Sequence, residues 1–312
     1  MQEEIKDWVE DAARSGQLLH SQFHIIQANV FCLTDEKGVV PAEICIARVS
    51  LVNGVEEVMA GDFLVNLHKV IEINMRRIID LILQVFHELI HPGPLPLGYR
   101  ADCVYNASKT HKIELDMATA NKNYLAILEG IVNCLRSGSS GKDLPPVYIL
   151  PKYRLQTERV LKWLQERSSD KTSINLYSLP CLLFHMARVG KEVPDCVHLP
   201  TENLAEVQLD RDVFLYTMSM ACTWHQQHDE TVHCSAAIVR RWAFIFCHIC
   251  CPRFVGIIPS NLQPIPFISF EFLIFSSRSL LGLMLLYFAS SPRATSSFRT
   301  CSRGSSGSSC PS

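Results

Sequence analysis

The strongest constraint on the fold is a strand meander near the start of the chain. Residues 23–32 read as an apolar strand, Asp35-Glu36-Lys37-Gly38 as a turn, and 43–50 (EICIARVS) as a second strand. Asn53-Gly54 follows, the dipeptide that most readily supplies the positive φ angles of a tight hairpin, and 55–65 reads as the returning strand. Downstream the period changes. Residues 67–90 carry apolar residues at helical spacing, HPGPLPLGY (91–99) is turn-forming, and 99–105 reads as a strand. Helices are expected over 118–136, which ends in RSGSSGKD, and over 155–167, with Leu155, Val160, Leu161 and Leu164 on one face. Between them, 145–150 reads as a short buried strand, and further helices are expected over 176–189, 211–222 and 235–250, the last broken by Pro252. Strands first, then strands alternating with helices, predict an α/β domain: one mixed sheet flanked by helices, over residues 20–253. Residues 1–19 supply an amphipathic N-terminal helix (Ile5, Trp8, Val9, Ala12) and a linker.

Apolar residues make up 48% of the 312, enough for a large core, and the net charge of −2 means that any nucleic-acid site must be a local patch. The opening MQEEIKDWVEDAARSG is acidic and lacks the apolar stretch of a secretory signal, which points to a reducing compartment. The 13 cysteines, an odd number at irregular spacing, do not read as a disulfide framework. From about residue 254 the composition changes to FISFEFLIF and LLGLMLLYF, then to a Ser-rich end. Arg278 splits the apolar run 265–289 into pieces shorter than the ~20 residues of a membrane span, so a membrane anchor is the less favoured reading. The tail reads as non-domain sequence, or as translation of a faulty gene model.

Chemistry concentrates in Ala221-Cys-Thr-Trp-His-Gln-Gln-His-Asp-Glu-Thr-Val-His-Cys234. Thiolate and imidazole are the donors zinc prefers. Cys222-x2-His225 and His233-Cys234 do not have the spacing of a self-contained finger, so some ligands must come from elsewhere. Two candidates are Glu43, an acid in an apolar strand where a lone carboxylate would be costly, and His111 in SKTHKIE. By themselves they read sooner as a strand-edge acid and a surface histidine, and the cluster reads equally as core cysteines with surface histidines. Cys247, Cys250 and Cys251 read as core residues.

PAEICIARVS, a return ending in AGDF, HPGPLPLGYR, SKTHKI, PPVYILPK and TWHQQHDETVHCSAAIV occur in an order that resembles the maelstrom domain family, germline proteins of the transposon-silencing piRNA pathway. The resemblance covers about residues 20–250. It implies an RNase H-like fold with one structural zinc, held at the positions of Glu43, His111, His225 and Cys234. It also implies piRNA-pathway proteins as partners and a place in perinuclear germline granules (nuage) and the nucleus. The sequence departs from the family in three ways. It lacks the N-terminal HMG box, so DNA binding through a box is not expected. It carries 67–90 as an insert, either an added helix or a translated intron. Its tail past 253 does not match the domain's end.

An RNase H-type nuclease needs carboxylates converging on two metal ions. Glu43 stands alone in its strand, with Asp62 as a candidate second acid, while Asp102, Glu114, Asp116, Asp229 and Glu230 are scattered. The expected function is therefore binding of single-stranded RNA. The alternative, which the resemblance also allows, is cleavage of single-stranded RNA by a route without an assigned catalytic residue. Candidate RNA contacts are Lys109, Lys112, Lys152, Arg154, Arg159, Lys162, Arg240 and Arg241, each of which also reads as ordinary surface charge.

Overall fold

A computed structural model describes residues 2–33, 38–51, 85–95, 98–137, 143–168, 172–192, 196–211 and 220–254. The chain divides after Pro264 into two units, and all described residues lie in the first. The expectations for 35–37, 53–84, 212–219 and the tail past 254, including Asp62 and the 265–289 run, fall outside the described residues.

The first unit is built on a five-stranded sheet of order β3-β2-β1-β4-β5. β1 (Gln22–Leu33) and β2 (Val39–Ser50) form a long antiparallel pair, and β3 (Val85–Leu89) adds antiparallel to β2. β4 (Val147–Ile149) runs parallel to β1, and β5 (Leu176–Ser178) parallel to β4. The mixed sheet flanked by helices is as expected. β2 is an interior strand, flanked by β3 and β1, and buried almost throughout, which explains its nearly continuous apolar sequence.

Helices cover both faces. On one, Phe23, Ile25, Cys45, Ala47 and Val49 pack with α1 (Gln2–Arg14), α5 (Leu179–Val189) and α8 (Ser235–Phe254). On the other, Ile26, Ile44, Ile46 and Ile149 meet α3 (Tyr124–Arg136) and α4 (Pro151–Ser168). A third cluster joins Phe31, Val40 and Ala42 to α2 (Tyr99–Lys109) and to Ile113 and Leu115. The remaining helices are α6 (Glu202–Asp210) and the short α7 (Thr223–Gln227).

Several local expectations are corrected. Residues 85–89 are strand, because the edge of β2 offers Val85–Leu89 a ladder that overrides the helical spacing. Residues 99–105 open helix α2, entered from Gly98 at φ 88° and burying Cys103 and Ala107 one turn apart. α3 starts only at Tyr124, where the Asn123 side chain accepts from the Ala126 N–H. Residues 176–178 are strand, and Ser178 caps α5 by accepting from the Cys181 N–H. Leu155 lies on the exposed side of α4, at 52% exposure, because Val160, Leu161 and Leu164 fill the buried stripe. α8 continues through Pro252 into its final turn.

Candidate metal centre

The β1–β2 pair slips register at Asn29/Val30 and again before Cys32, beside the facing pair Asn29 and Glu43. Pro41 lies opposite Val30 at this bulge, where its missing N–H removes no regular ladder bond. The irregularity sits next to the one buried carboxylate among the described residues, Glu43.

Glu43 is fully buried and fully partnered. Its Oε1 accepts from Asn29 Nδ2 at 2.6 Å and from the Ser235 N–H at 2.9 Å, and its Oε2 accepts from His87 Nε2 at 2.8 Å. Burial opposes its charge. The His87 hydrogen bond, the His225 and His87 rings and the Ser235 N–H outweigh burial and hold the carboxyl at about 2. Asn29 is itself oriented: its Nδ2 also donates to the His233 carbonyl at 2.7 Å, and its Oδ1 accepts from Gln27 Nε2 at 2.9 Å.

His225 and Cys234 arrive from the other end of the domain, on α7 and just before α8. The ligand atoms of Glu43, His225 and Cys234 lie within 4.8 Å of one another, all three residues buried. His225 Nε2 donates to the His111 carbonyl at 3.1 Å and is 3.9 Å from Glu43 Oε1. Its Nδ1 is 3.1 Å from Cys222 Sγ, and Cys234 Sγ accepts from the Cys222 N–H at 3.3 Å. Hydrogen bonding from Cys234 and His225 lowers the Cys222 thiol against the effect of burial, whereas burial pushes the Cys234 thiol well above its usual value. Trp224 stands edge-on to His225 at 4.8 Å between centroids and stacks on His228 at 4.2 Å.

The structure thus brings together three of the four residues that the resemblance implies as ligands. His111 is beside them and buried, with Phe31 edge-on to its ring at 4.9 Å, but its ring is in neither close donor group. Its Nδ1 accepts from the Ile113 N–H at 3.1 Å, and its Nε2 is buried without a hydrogen-bond partner. Burial, helped by the charges of His225 and His233, lowers its pKa to about 4. A second close group consists of His87, Cys222 and Cys234, again within 4.8 Å. His87 was missed because its segment reads as helical, and the signal that could have found it is the lone acid of β2, which demands a partner from the next strand. All described cysteines are free thiols, and Cys247, Cys250 and Cys251 are core residues as expected.

The candidate RNA contacts divide. Lys152, Leu155, Arg159 and Lys162 follow one stripe of α4, with Lys152 Nζ bonded to Asp210 at 2.5 Å and Lys162 Nζ 3.9 Å from Glu166. Arg154 pairs with Glu158 at 2.6 Å. Lys109 and Lys112 are exposed near the end of α2, Lys109 lying 5.8 Å from the Tyr105 ring centre. Arg240 is a correction: it is buried in α8 and donates to the Met220 carbonyl, whereas its neighbour Arg241 is partly exposed. Among the described residues no helix is long and apolar enough to cross a membrane.

A family model described as "Maelstrom: piRNA pathway germ-plasm component" matches residues 69–267. The protein maelstrom homolog of Culex quinquefasciatus is 26% identical over 255 residues, covering 80% of this chain and 44% of that protein. Protein maelstrom of Drosophila melanogaster is 25% identical over 274 residues, covering 85% of this chain and 52% of that protein. The Mus musculus homolog is 23% identical over 159 residues, 51% of this chain and 35% of that protein. The chain spans about half or less of the length of these curated relatives.

Proposed function

The chain belongs to the Maelstrom family, and from that premise we propose that it is a germline piRNA-pathway factor for transposon silencing, binding single-stranded RNA on an RNase H-like domain without a two-metal site. The strand order β3-β2-β1-β4-β5, with β2 alone running opposite to the other four strands, supports the fold assignment. The observation that carries the functional reading is the environment of Glu43. A two-metal nuclease needs paired carboxylates around its ions. Here the facing strand offers the amides Gln27 and Asn29, and both Glu43 oxygens already accept hydrogen bonds.

A structural zinc at this centre is part of the same proposal. Buried thiol, imidazole and carboxylate groups within 4.8 Å are a fitting donor set. The resemblance gives Glu43, His111, His225 and Cys234 as its ligands. Bound zinc would tie the central strands to the segment that leads into α8. RNA would follow the basic stripe Lys152, Arg159 and Lys162, with Arg154, Arg241, Lys109 and Lys112 as flanking contacts. Perinuclear granules and the nucleus are the proposed locations, with piRNA-pathway proteins as partners.

The test is labelled single-stranded RNA incubated with purified chain, with and without magnesium and with and without chelator. Salt-sensitive binding with intact RNA is expected. Magnesium-dependent cutting would overturn the reading in favour of a two-metal enzyme. Cutting that persists without magnesium would favour the endoribonuclease alternative.

A further inference from the structure

Two described residues other than glycine have positive φ angles, Lys112 at 60° and Asp229 at 56°. Both border the buried cluster described above, one directly after His111 and the other just past α7. Aspartate adopts this conformation fairly readily, whereas lysine does so at a cost that glycine would avoid. Lys112 closes the turn after α2: its N–H donates to the Ala107 carbonyl at 2.9 Å, and its side chain is exposed. Glycine would serve this turn better, so the lysine supplies something that the backbone does not need.

The same rim carries an ordered aromatic stack. His225 Nε2 donates to the His111 carbonyl at 3.1 Å, which fastens α7 against the 111–113 segment, and Trp224 packs on the cluster that contains Ile113. His228 stacks on Trp224 at 4.2 Å between centroids, with the ring planes 21° apart. Its Nδ1 donates to the Trp224 carbonyl at 2.7 Å, which holds the imidazole flat over the indole. Trp224 covers one face of this ring and His228 is still exposed, so the opposite face is open. A second cation stands on this rim. Burial lowers the pKa of His233, Glu230 opposes that, and the charges of Lys112, His225 and Arg241 reinforce it. Lys112, after α2, and the partly exposed Arg241 of α8 thus act on one side chain, with Glu230 as the acid beside them.

A flat ring with one open face, next to two cations, suits a nucleotide: the base stacks and the phosphate pairs. On the reading that the chain binds single-stranded RNA, we propose that this rim holds one nucleotide, its base stacked on His228 and its phosphate paired with Lys112 and Arg241. Every base has a π face, so the subsite reads single-strandedness and not sequence. A base inside a duplex has both faces covered by its neighbours and cannot reach His228.

The test is binding of the full chain to single-stranded oligo(A) RNA and to an abasic ribose–phosphate oligomer of the same length. His228→Ala should weaken oligo(A) at least about fivefold and leave the abasic oligomer unchanged, and His228→Phe should restore the affinity. Equal loss on both oligomers, or no loss on oligo(A), overturns the base contact. Lys112→Gly relieves the positive φ, so its thermal midpoint should stay level or rise. Its affinity for both oligomers should fall about three- to tenfold, and the slope of log affinity against log salt should flatten by about 0.7. Lys112→Arg should bind as the unmodified chain does. A folded Lys112→Gly protein with unchanged affinity and slope overturns the phosphate contact. If the unmodified chain binds oligo(A) and these variants match it, this subsite alone falls; if the unmodified chain binds neither oligomer, the RNA-binding reading falls with it.

Discussion

His87 donates to Glu43 at 2.8 Å across neighbouring strands, joining the edge strand β3 to the carboxylate of the interior strand β2. Glu43 is also the acceptor for Asn29 on β1 and for the Ser235 N–H at the start of α8. One carboxylate therefore closes contacts from three other segments. Glu43→Ala would remove the acceptor that all three donors share, leaving Asn29 only the His233 carbonyl, and should cost about 3–5 kcal/mol in urea unfolding at saturating zinc. Glu43→Gln keeps an acceptor for Asn29 and Ser235, and should cost about 1–2 kcal/mol. Equal costs for the two variants would mean that these hydrogen bonds are not what the carboxylate contributes.

His24, buried on β1, provides a pH test remote from the metal centre. Burial, followed by the charge of Arg48, lowers its pKa from 6.5 to about 4. A folded-state value below the unfolded one means that the unfolded chain binds more protons between the two. Stability from this residue is thus complete above pH 6.5 and declines as pH falls toward 4. Between pH 7.5 and 5 the loss from His24 should be about 2 kcal/mol. His24→Leu should remove that increment from the pH dependence, and identical pH profiles for the two proteins would show that His24 titrates normally.

The meander and the Cys222–Cys234 segment were legible because each breaks a rule at a visible cost. Glu43 interrupts an otherwise apolar strand, and a carboxylate there needs partners. What those partners are was not legible. His87 lies on a strand that exists only because β2 has an open edge, so its five residues carry no periodic signal of their own. Arg240 and Arg241 look alike in sequence. α8 is buried on nearly all sides, with Arg241 and His248 among its few accessible positions, so adjacent arginines take opposite roles. Cys222 was visible in the cluster, but only the fold shows its Sγ 3.1 Å from His225 Nδ1.

The basic stripe of α4 should be needed for RNA binding and not for folding. Lys152, Arg159 and Lys162 are accessible, and the Lys152 and Lys162 pairs are surface ion pairs that contribute little to stability. The triple variant Lys152→Glu, Arg159→Glu, Lys162→Glu should weaken single-stranded RNA binding at least tenfold. It should also flatten the slope of log affinity against log salt by about 2, near 0.7 for each lost phosphate contact. Unchanged affinity would place the RNA elsewhere. Arg240→Gln should instead destabilise the domain, since its guanidinium is buried against the Met220 carbonyl.

Zinc and Cys234 should act on stability as one unit. Cys234 is fully buried between α7 and α8 and is the residue shared by both close donor groups. Removing the ion leaves buried thiol and imidazole groups facing one another, and should loosen the attachment of α7 and the start of α8 to β2 and β3. Chelation should lower the thermal midpoint of the unmodified chain by about 10 °C. Cys234→Ala should lower it by a similar amount, and chelator should then add almost nothing, because the site it would empty is already lost. Two perturbations of one interaction are non-additive, whereas perturbations of separate sites add. A chelator effect of full size on Cys234→Ala would therefore show that the ion is held somewhere else, whatever the zinc content of the unmodified chain.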